Sequence, residues 1–320
     1  MLSRVADSLF WMARYLERAE HAALAVEAHL NLSLGREAGH DDGWRLLREA
    51  LSCPAGEGEE DTDPYAGTYA IAFDTVHPGS IRSNITAARE SARQVREQVS
   101  TEMFMQLNAL YFRVQQTRLE DIWNGEPFEF FRSIHNGSHL FHGITDAGVS
   151  HDQGWFFIQL GRYLERAQCM TRMLKVYLHD TKASGQRRAF EADRYLSRVG
   201  LLRACSAYEP YLRRYRHGLR SRDIARFLLL DDNFPRSVRF SADRIQGAVH
   251  AITRDTGHAH TAALERLAGR LRGQLEFAEI SEVLDHGLGG FIDQLLETSN
   301  EIGAQVYRAY IGYPITEFAS

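Results

Sequence analysis

The side chains best suited to chemistry come as a doubled set. Arg14-Tyr15-Leu16-Glu17-Arg18-Ala19 returns, identical at every position, as Arg162-Tyr163-Leu164-Glu165-Arg166-Ala167. Arginine and glutamate three residues apart share one side of a helix, so each set can pair internally or exchange partners with the other. Three readings fit this pattern. The guanidiniums of Arg14, Arg18, Arg162 and Arg166 can hold an anionic group, with Glu17 or Glu165 orienting it and His21 on the same stripe. Glu17 and Glu165 can instead act as acid and base in peptide or amide chemistry. In the third reading there is no ligand. Half-buried charges must be paired to be tolerated, and a network of them fixes how two helical halves dock.

Both sets lie on segments that must be helical. Leu2, Val5, Leu9, Met12, Leu16, Ala19, Ala23, Val26 and Leu30 recur in steps of three and four, an apolar seam of coiled-coil type. A shift of 148 residues, which takes Arg14 to Arg162, carries the seam along as Leu9/Phe157, Met12/Leu160, Leu16/Leu164, Ala19/Ala167, Val26/Leu174 and Leu30/Leu178. Only Ala23/Thr171 breaks the apolar match. The repeat predicts a single all-α, multi-helix bundle made of two related halves, about 1–150 and 151–320, facing each other with pseudo-symmetry. The charges sit away from the seam, on a stripe of Phe10, Arg14, Glu17, His21 and Leu24. With apolar residues at both ends, that stripe calls for a second protein surface or a pocket over it.

The rest of the chain also reads as helix. Ile81, Ile85, Ala88, Ala92, Val95 and Val99 keep the same rhythm and predict one helix over 80–120, on the order of 60 Å long at 1.5 Å per residue. Further helices are expected over 128–143, 155–180, 189–207, 210–217, 221–230, 261–276 and 288–311. Asp231-Asp232-Asn233 before Phe234-Pro235 reads as a cap and restart, with proline at the first helical position. Residues 53–67 (CPAGEGEEDTDPYAG) read as an exposed acidic loop, 74–79 as a turn and 181–188 as a polar break. No run of alternating strand is present.

Several classes of function are excluded or disfavoured. No stretch approaches the roughly 18 uninterrupted apolar residues of a membrane span. Residues 1–16 contain Arg4, Asp7 and Arg14 and do not read as a signal peptide. Cys53, Cys169 and Cys205 are widely spaced, which fits a reducing cytoplasm rather than a disulfide framework or zinc knuckle. His135, His139 and His142 share a helical face with Asp146 just beyond, a spacing that can ligate a metal. The chain has no HExxH motif, however, and no metal site is expected. There is no Gly-rich phosphate loop and no GxSxG elbow, so no ATP site is expected on this chain. Of the 37 basic residues only Lys175 and Lys182 are lysine, a bias that base composition of the genome also produces. The net charge of −5 gives no general affinity for nucleic acid. Within 187–244, fourteen arginines face seven acidic residues, making this stretch the best candidate for docking an acidic partner or, less favoured, RNA.

The doubled motif also carries a resemblance. The chain is similar over almost its full length to the bacterial alpha-E family, helical proteins named for a Glu-Arg motif. The likeness runs through Met1-Leu2-Ser3-Arg4 to Trp11, Arg14–Glu20, Ser80-Ile81-Arg82-Ser83-Asn84-Ile85 with Ala88-Arg89-Glu90, and Gln98–Met103. It continues in Thr145-Asp146, Gly154-Trp155, Leu160–Ala167, Phe227–Asp231 and Phe234-Pro235-Arg236-Ser237-Val238. The resemblance implies a helical companion of circularly permuted ATP-grasp ligases and transglutaminase-like proteins, in a system that forms or modifies amide bonds. It implies no cofactor on this chain, with ATP and Mg on the ligase. It adds Arg82, Arg89, Asp146 and Arg236 to the candidate substrate-binding residues, the substrate being a peptide or small acidic molecule.

Overall fold

The computed structural model describes residues 1–33, 43–53, 63–183, 191–256 and 261–312. Among these lie fifteen α-helices and no strand: α1 (Ser3–Ser33), α2 (Gly43–Ala50), α3 (Pro64–Ala72), α4 (Ile81–Gln94), α5 (Thr101–Gln116), α6 (Leu119–Asn124), α7 (Pro127–Gly148), α8 (Gln153–Ala183), α9 (Glu191–Ala204), α10 (Tyr208–Arg214), α11 (Ser221–Leu230), α12 (Val238–Thr256), α13 (Thr261–Glu276), α14 (Ile280–His286) and α15 (Leu288–Tyr310). Among the described residues no helix is long and apolar enough to cross a membrane.

The two repeat segments are α1 and α8, each of 31 residues, and they pack along one another at the centre. They come into close contact at Ala13 and Gly161, the same position in the two repeats. A Cβ on Gly161 would lie 2.3 Å from the Phe10 carbonyl oxygen and 3.3 Å from the Ala13 Cβ, so only glycine lets the backbones come this close. The apolar seams are buried as expected, with Leu9, Met12, Leu16, Leu160 and Leu164 shielded from solvent. α4, α7 and α9 pack round α1, and α11, α12 and α15 round α8. The charged stripe of α1 is therefore covered too: Phe10, Arg14, Glu17 and His21 are all buried.

Two expectations about the chain's course do not hold. The segment 80–120 is not one rod. α4 stops at Gln94, a 3-10 turn covers Arg96–Gln98, and Ser100 caps α5 by accepting from the Met103 N–H at 3.2 Å. Val95 and Val99 remain buried through the bend, which is why the apolar rhythm ran on without a break. α5 then returns antiparallel to α4, with Arg82 reaching Val114 and Arg89 reaching Asn108. The second difference lies after α11. Asp231 Oδ1 accepts from the Asn233 and Phe234 N–H groups, and Ser237 Oγ accepts from Phe240 N–H, so α12 begins at Val238. Pro235 sits in the turn before this cap rather than at the first helical position. Within the expected loop at 53–67, Asp63 caps α3 by accepting from Tyr65 and Ala66 N–H groups, with Pro64 opening the helix. Residues 54–62 of that loop and 184–188 of the polar break lie outside the described residues.

Candidate functional site

Because α1 and α8 meet at repeat-equivalent positions, their charged residues exchange partners rather than pairing within each helix. Arg166 donates to Glu17 through Nε at 2.6 Å and Nη2 at 2.8 Å, a two-pronged bond across the helices. Arg18 makes the reciprocal bond to Glu165, at 2.7 Å through Nε and 3.1 Å through Nη2. Arg14 Nε donates to Glu165 at 2.7 Å, while Arg162 Nε stands 3.9 Å from Glu17. All six repeated charges thus face one another across the pseudo-twofold contact at Ala13 and Gly161. Aromatic rings back them: Arg14 lies 4.8 Å from the Trp11 ring, and Arg162 and Arg166 each 5.4 Å from that of Tyr163.

Each carboxylate is the centre of a larger cluster. Around Glu17, one helical turn on, Glu20 is fully buried and paired with Arg236. The turn between α11 and α12, held by Asp231 and Ser237, is what delivers Arg236 to this place. α7 runs beside the same stripe. His139 Nε2 lies 3.1 Å from Glu20, and His142 Nε2 is 3.2 Å from Glu20 and 3.7 Å from Glu17. His135 continues the ladder at 3.0 Å from Glu27. Asp146 closes the cluster at its exposed edge, accepting from Gln159 at 2.9 Å and from Arg162 at 3.5 Å. Around Glu165 the set is Arg14, Arg18 and Arg172, the last at 3.6 Å, with Gln168 accepting from Arg14 at 2.7 Å. His21 is buried and takes up charge effects from Glu17, Glu20, Arg172 and Arg236, the groups of both clusters.

Titration follows from this packing. Burial alone would raise the pKa of Glu17, but Arg166 and then Arg236 outweigh it and hold it low. Glu20 is opposed by burial in the same way, yet Arg236 and the two histidines keep it well below the usual carboxylate range. Arg14 and Arg18 overcome burial at Glu165 and bring it to about 2. Burial, aided by Arg236, pushes His21 down to about 3; burial, aided by Arg162, takes His142 to about 4. At neutral pH the carboxylates are charged and these two imidazoles neutral. A general acid or base working near neutrality needs the opposite shift, toward the operating pH. The acid/base reading of Glu17 and Glu165 therefore has no support in their surroundings.

Glu17, Glu20 and His142 each offer an atom within 4.8 Å of the others, a spacing that suits a metal ion. The charge already there opposes one. Arg162, Arg166 and Arg236 balance Glu17, Glu20 and Asp146, and a dication would add two positive charges to a matched set.

A family profile described as "a predicted alpha-helical domain with a conserved ER motif" matches residues 1–311. The chain belongs to the Alpha-E family. Uncharacterized proteins of Mycobacterium bovis and of Mycobacterium tuberculosis (strain CDC 1551) are each 24% identical to it over 317 residues, covering 92% of this chain and 35% of theirs. A third relative, from Mycobacterium tuberculosis strain H37Rv, is 23% identical over the same span. The Alpha-E chain thus spans about a third of the length of the curated relatives it matches. No solved structure matches it.

Of the candidate residues, Arg14, Glu17, Arg18, His21, Arg162, Glu165, Arg166, Asp146 and Arg236 are brought together. Arg82 and Arg89 are not. Arg82 donates to the Val114 and Thr117 carbonyls, and Arg89 to Asn108, so both bind α4 to α5. Sequence reasoning missed Glu20, Gln168 and Arg172, and named His142 only as part of a histidine face that could ligate a metal. Glu20 and Gln168 follow Glu17 and Glu165 by three residues, and Arg172 follows Glu165 by seven, so the helical spacing that found the motif extends to them.

Proposed function

We propose that this Alpha-E chain is the helical partner subunit of an ATP-grasp-type amide or peptide ligase system, meeting the ligase or an acidic substrate at its Glu-Arg centre. The observation that carries this reading is the length of the relatives. There the matched region is 35% of the polypeptide, so in those relatives the module is covalently joined to other sequence. The resemblance supplies the partner's class: a circularly permuted ATP-grasp protein, with a transglutaminase-like protein as a second candidate. ATP and Mg belong to the ligase in this scheme, and the site of action is the cytoplasm.

The polar centre has two tasks under this reading. The ion pairs lock α1 to α8, and the guanidiniums left over present positive charge. Exposed Arg213, Arg216, Arg220, Arg222 and Arg226 on and between α10 and α11 offer a basic face for an acidic partner surface.

The test is co-purification with the ATP-grasp protein from the same gene neighbourhood, using wild type, Glu17→Gln and Glu165→Gln, with helicity and melting measured alongside. Capture of the ligase by folded wild type, and loss of capture together with early melting in the variants, is the expected result. Absence of a complex with the wild-type chain would remove the partner reading. Turnover of an amide substrate by the chain alone would replace it with the enzyme reading.

A further inference from the structure

The two clusters are built from equivalent positions, yet they differ in charge. Around Glu17 the acids Glu17, Glu20 and Asp146 match Arg162, Arg166 and Arg236. Around Glu165 one carboxylate faces three guanidiniums, those of Arg14, Arg18 and Arg172, at 2.7, 2.7 and 3.6 Å. Two substitutions between the repeats account for the net difference, since Asp146 and Arg236, which join the first cluster from outside the repeat helices, cancel. The equivalent of Glu20 is Gln168, which removes a carboxylate, and the equivalent of Leu24 is Arg172, which adds a guanidinium. Both push the second cluster the same way, toward a surplus of two positive charges. Gln168 cannot offset it, being engaged with Arg14 at 2.7 Å and Asn300 at 2.9 Å. Nor can Cys169, although Arg172 donates to its sulfur at 3.4 Å. Burial pushes that thiol up to about 11 and leaves it neutral.

The donors around Glu165 also outnumber its two acceptor oxygens. Glu165 Oε2 accepts from Arg14 and Arg18, and Oε1 accepts from Arg18, so Arg172 has only a long contact to the carboxylate beside its bond to the Cys169 sulfur. Its Nε is buried and has no hydrogen-bond partner among the described residues. A buried donor without an acceptor is destabilising, so an acceptor brought to it is favoured. The surplus also opens to solvent on one side: the Arg18 and Arg172 side chains keep 26% and 27% of their exposure, against 10% for Arg14.

We propose that the solvent-facing edge formed by Arg18 and Arg172 over Glu165 is an oxyanion site, taking a carboxylate or a phosphate group in the forks of the two guanidiniums. A group with two or more oxygens fits, because planar forks bind such groups through paired bonds. This deepens the partner reading by naming the class of group presented. It rests on that reading only for where the group comes from, since the site belongs to the isolated chain.

Calorimetric titration of the full chain with inorganic phosphate, and separately with glutarate, at matched ionic strength tests it. Saturable one-site binding is expected, weakened at least tenfold in Arg172→Leu, which installs the residue of the other repeat, and likewise in Arg172→Gln. Arg93→Gln, an exposed change on α4, should bind as wild type. Tighter phosphate binding assigns the site to a phosphate-bearing partner group, and tighter glutarate binding to a carboxylate. No saturable binding of either anion by wild type overturns the proposal, and so does equal binding by folded Arg172→Gln. Neither result bears on capture of the ligase, so the two readings fail separately.

Discussion

Replacing Glu165 by glutamine tests the central lock most directly. The change keeps shape and volume but leaves Arg14, Arg18 and Arg172 facing a neutral amide at 2.7, 2.7 and 3.6 Å. Removing one partner of a buried ion pair costs on the order of 3–5 kcal/mol, because the remaining charge stays desolvated. Titration gives a similar figure. A carboxyl lowered from 4.5 to about 2 gains about 3 kcal/mol of stability from its charged state. The folded pKa lies below the unfolded one, so this contribution is complete above pH 4.5 and is lost as pH falls toward 2. Urea unfolding followed by far-ultraviolet circular dichroism should show a deficit of about 3 kcal/mol in Glu165→Gln, constant from pH 8 to 5.5 and shrinking below 4.5. For comparison, Glu90→Gln removes exposed pairs to Arg89 and Arg93 and should cost under about 1 kcal/mol. A deficit below about 1 kcal/mol at Glu165 would refute the reasoning, since it would mean that the three guanidiniums do not depend on this carboxylate.

His21 and His142 make stability fall with acid. Their folded pKa values of about 3 and about 4 lie below the unfolded 6.5, so the unfolded chain binds more protons once pH drops under 6.5. Together they should cost about 4 kcal/mol between pH 7 and 5, read as a falling urea midpoint, and a flat profile there would contradict burial of neutral imidazoles. Gly161→Ala drives a methyl into the Phe10 carbonyl at 2.3 Å and should destabilise by about 1–3 kcal/mol in the same assay. Arg82→Ala strips hydrogen bonds from Val114 and Thr117, at a cost of about 1–2 kcal/mol, while leaving phosphate titration unchanged; altered anion binding would return Arg82 to the site.

Periodicity made the centre of the fold legible. Steps of three and four located α1 and α8, and the identical hexapeptides showed that two helices had one design. The same rhythm failed at 95–100, because Val95 and Val99 are buried whether the chain continues or bends. There the Ser100 cap, one hydrogen bond to Met103, decides the course. The site was legible as far as the repeat reached. His142 was visible as one of three histidines on a helical face and Arg236 as part of the family resemblance, but the packing of α7 on α1 and the capped turn that bring them to Glu20 leave no mark in local spacing. Arg82 and Arg89 show the reverse error. The resemblance marked them as candidates, but Arg82 binds the Val114 and Thr117 carbonyls, and Arg89 binds Asn108 of α5 and Glu90 of its own helix.

The reciprocal pairs at Ala13 and Gly161 are those of an isologous interface. Arg18 reaches Glu165 and Arg166 reaches Glu17, so two copies of one half placed about a dyad would satisfy each other's charges. In such a homodimer every substitution would occur twice, once on each side of the axis. Linking both halves in one polypeptide removes that constraint. Position 20 can stay acidic while position 168 becomes an amide, and a leucine on one side can face an arginine on the other. The covalent link keeps the symmetric lock and lets the two sides of its axis specialise.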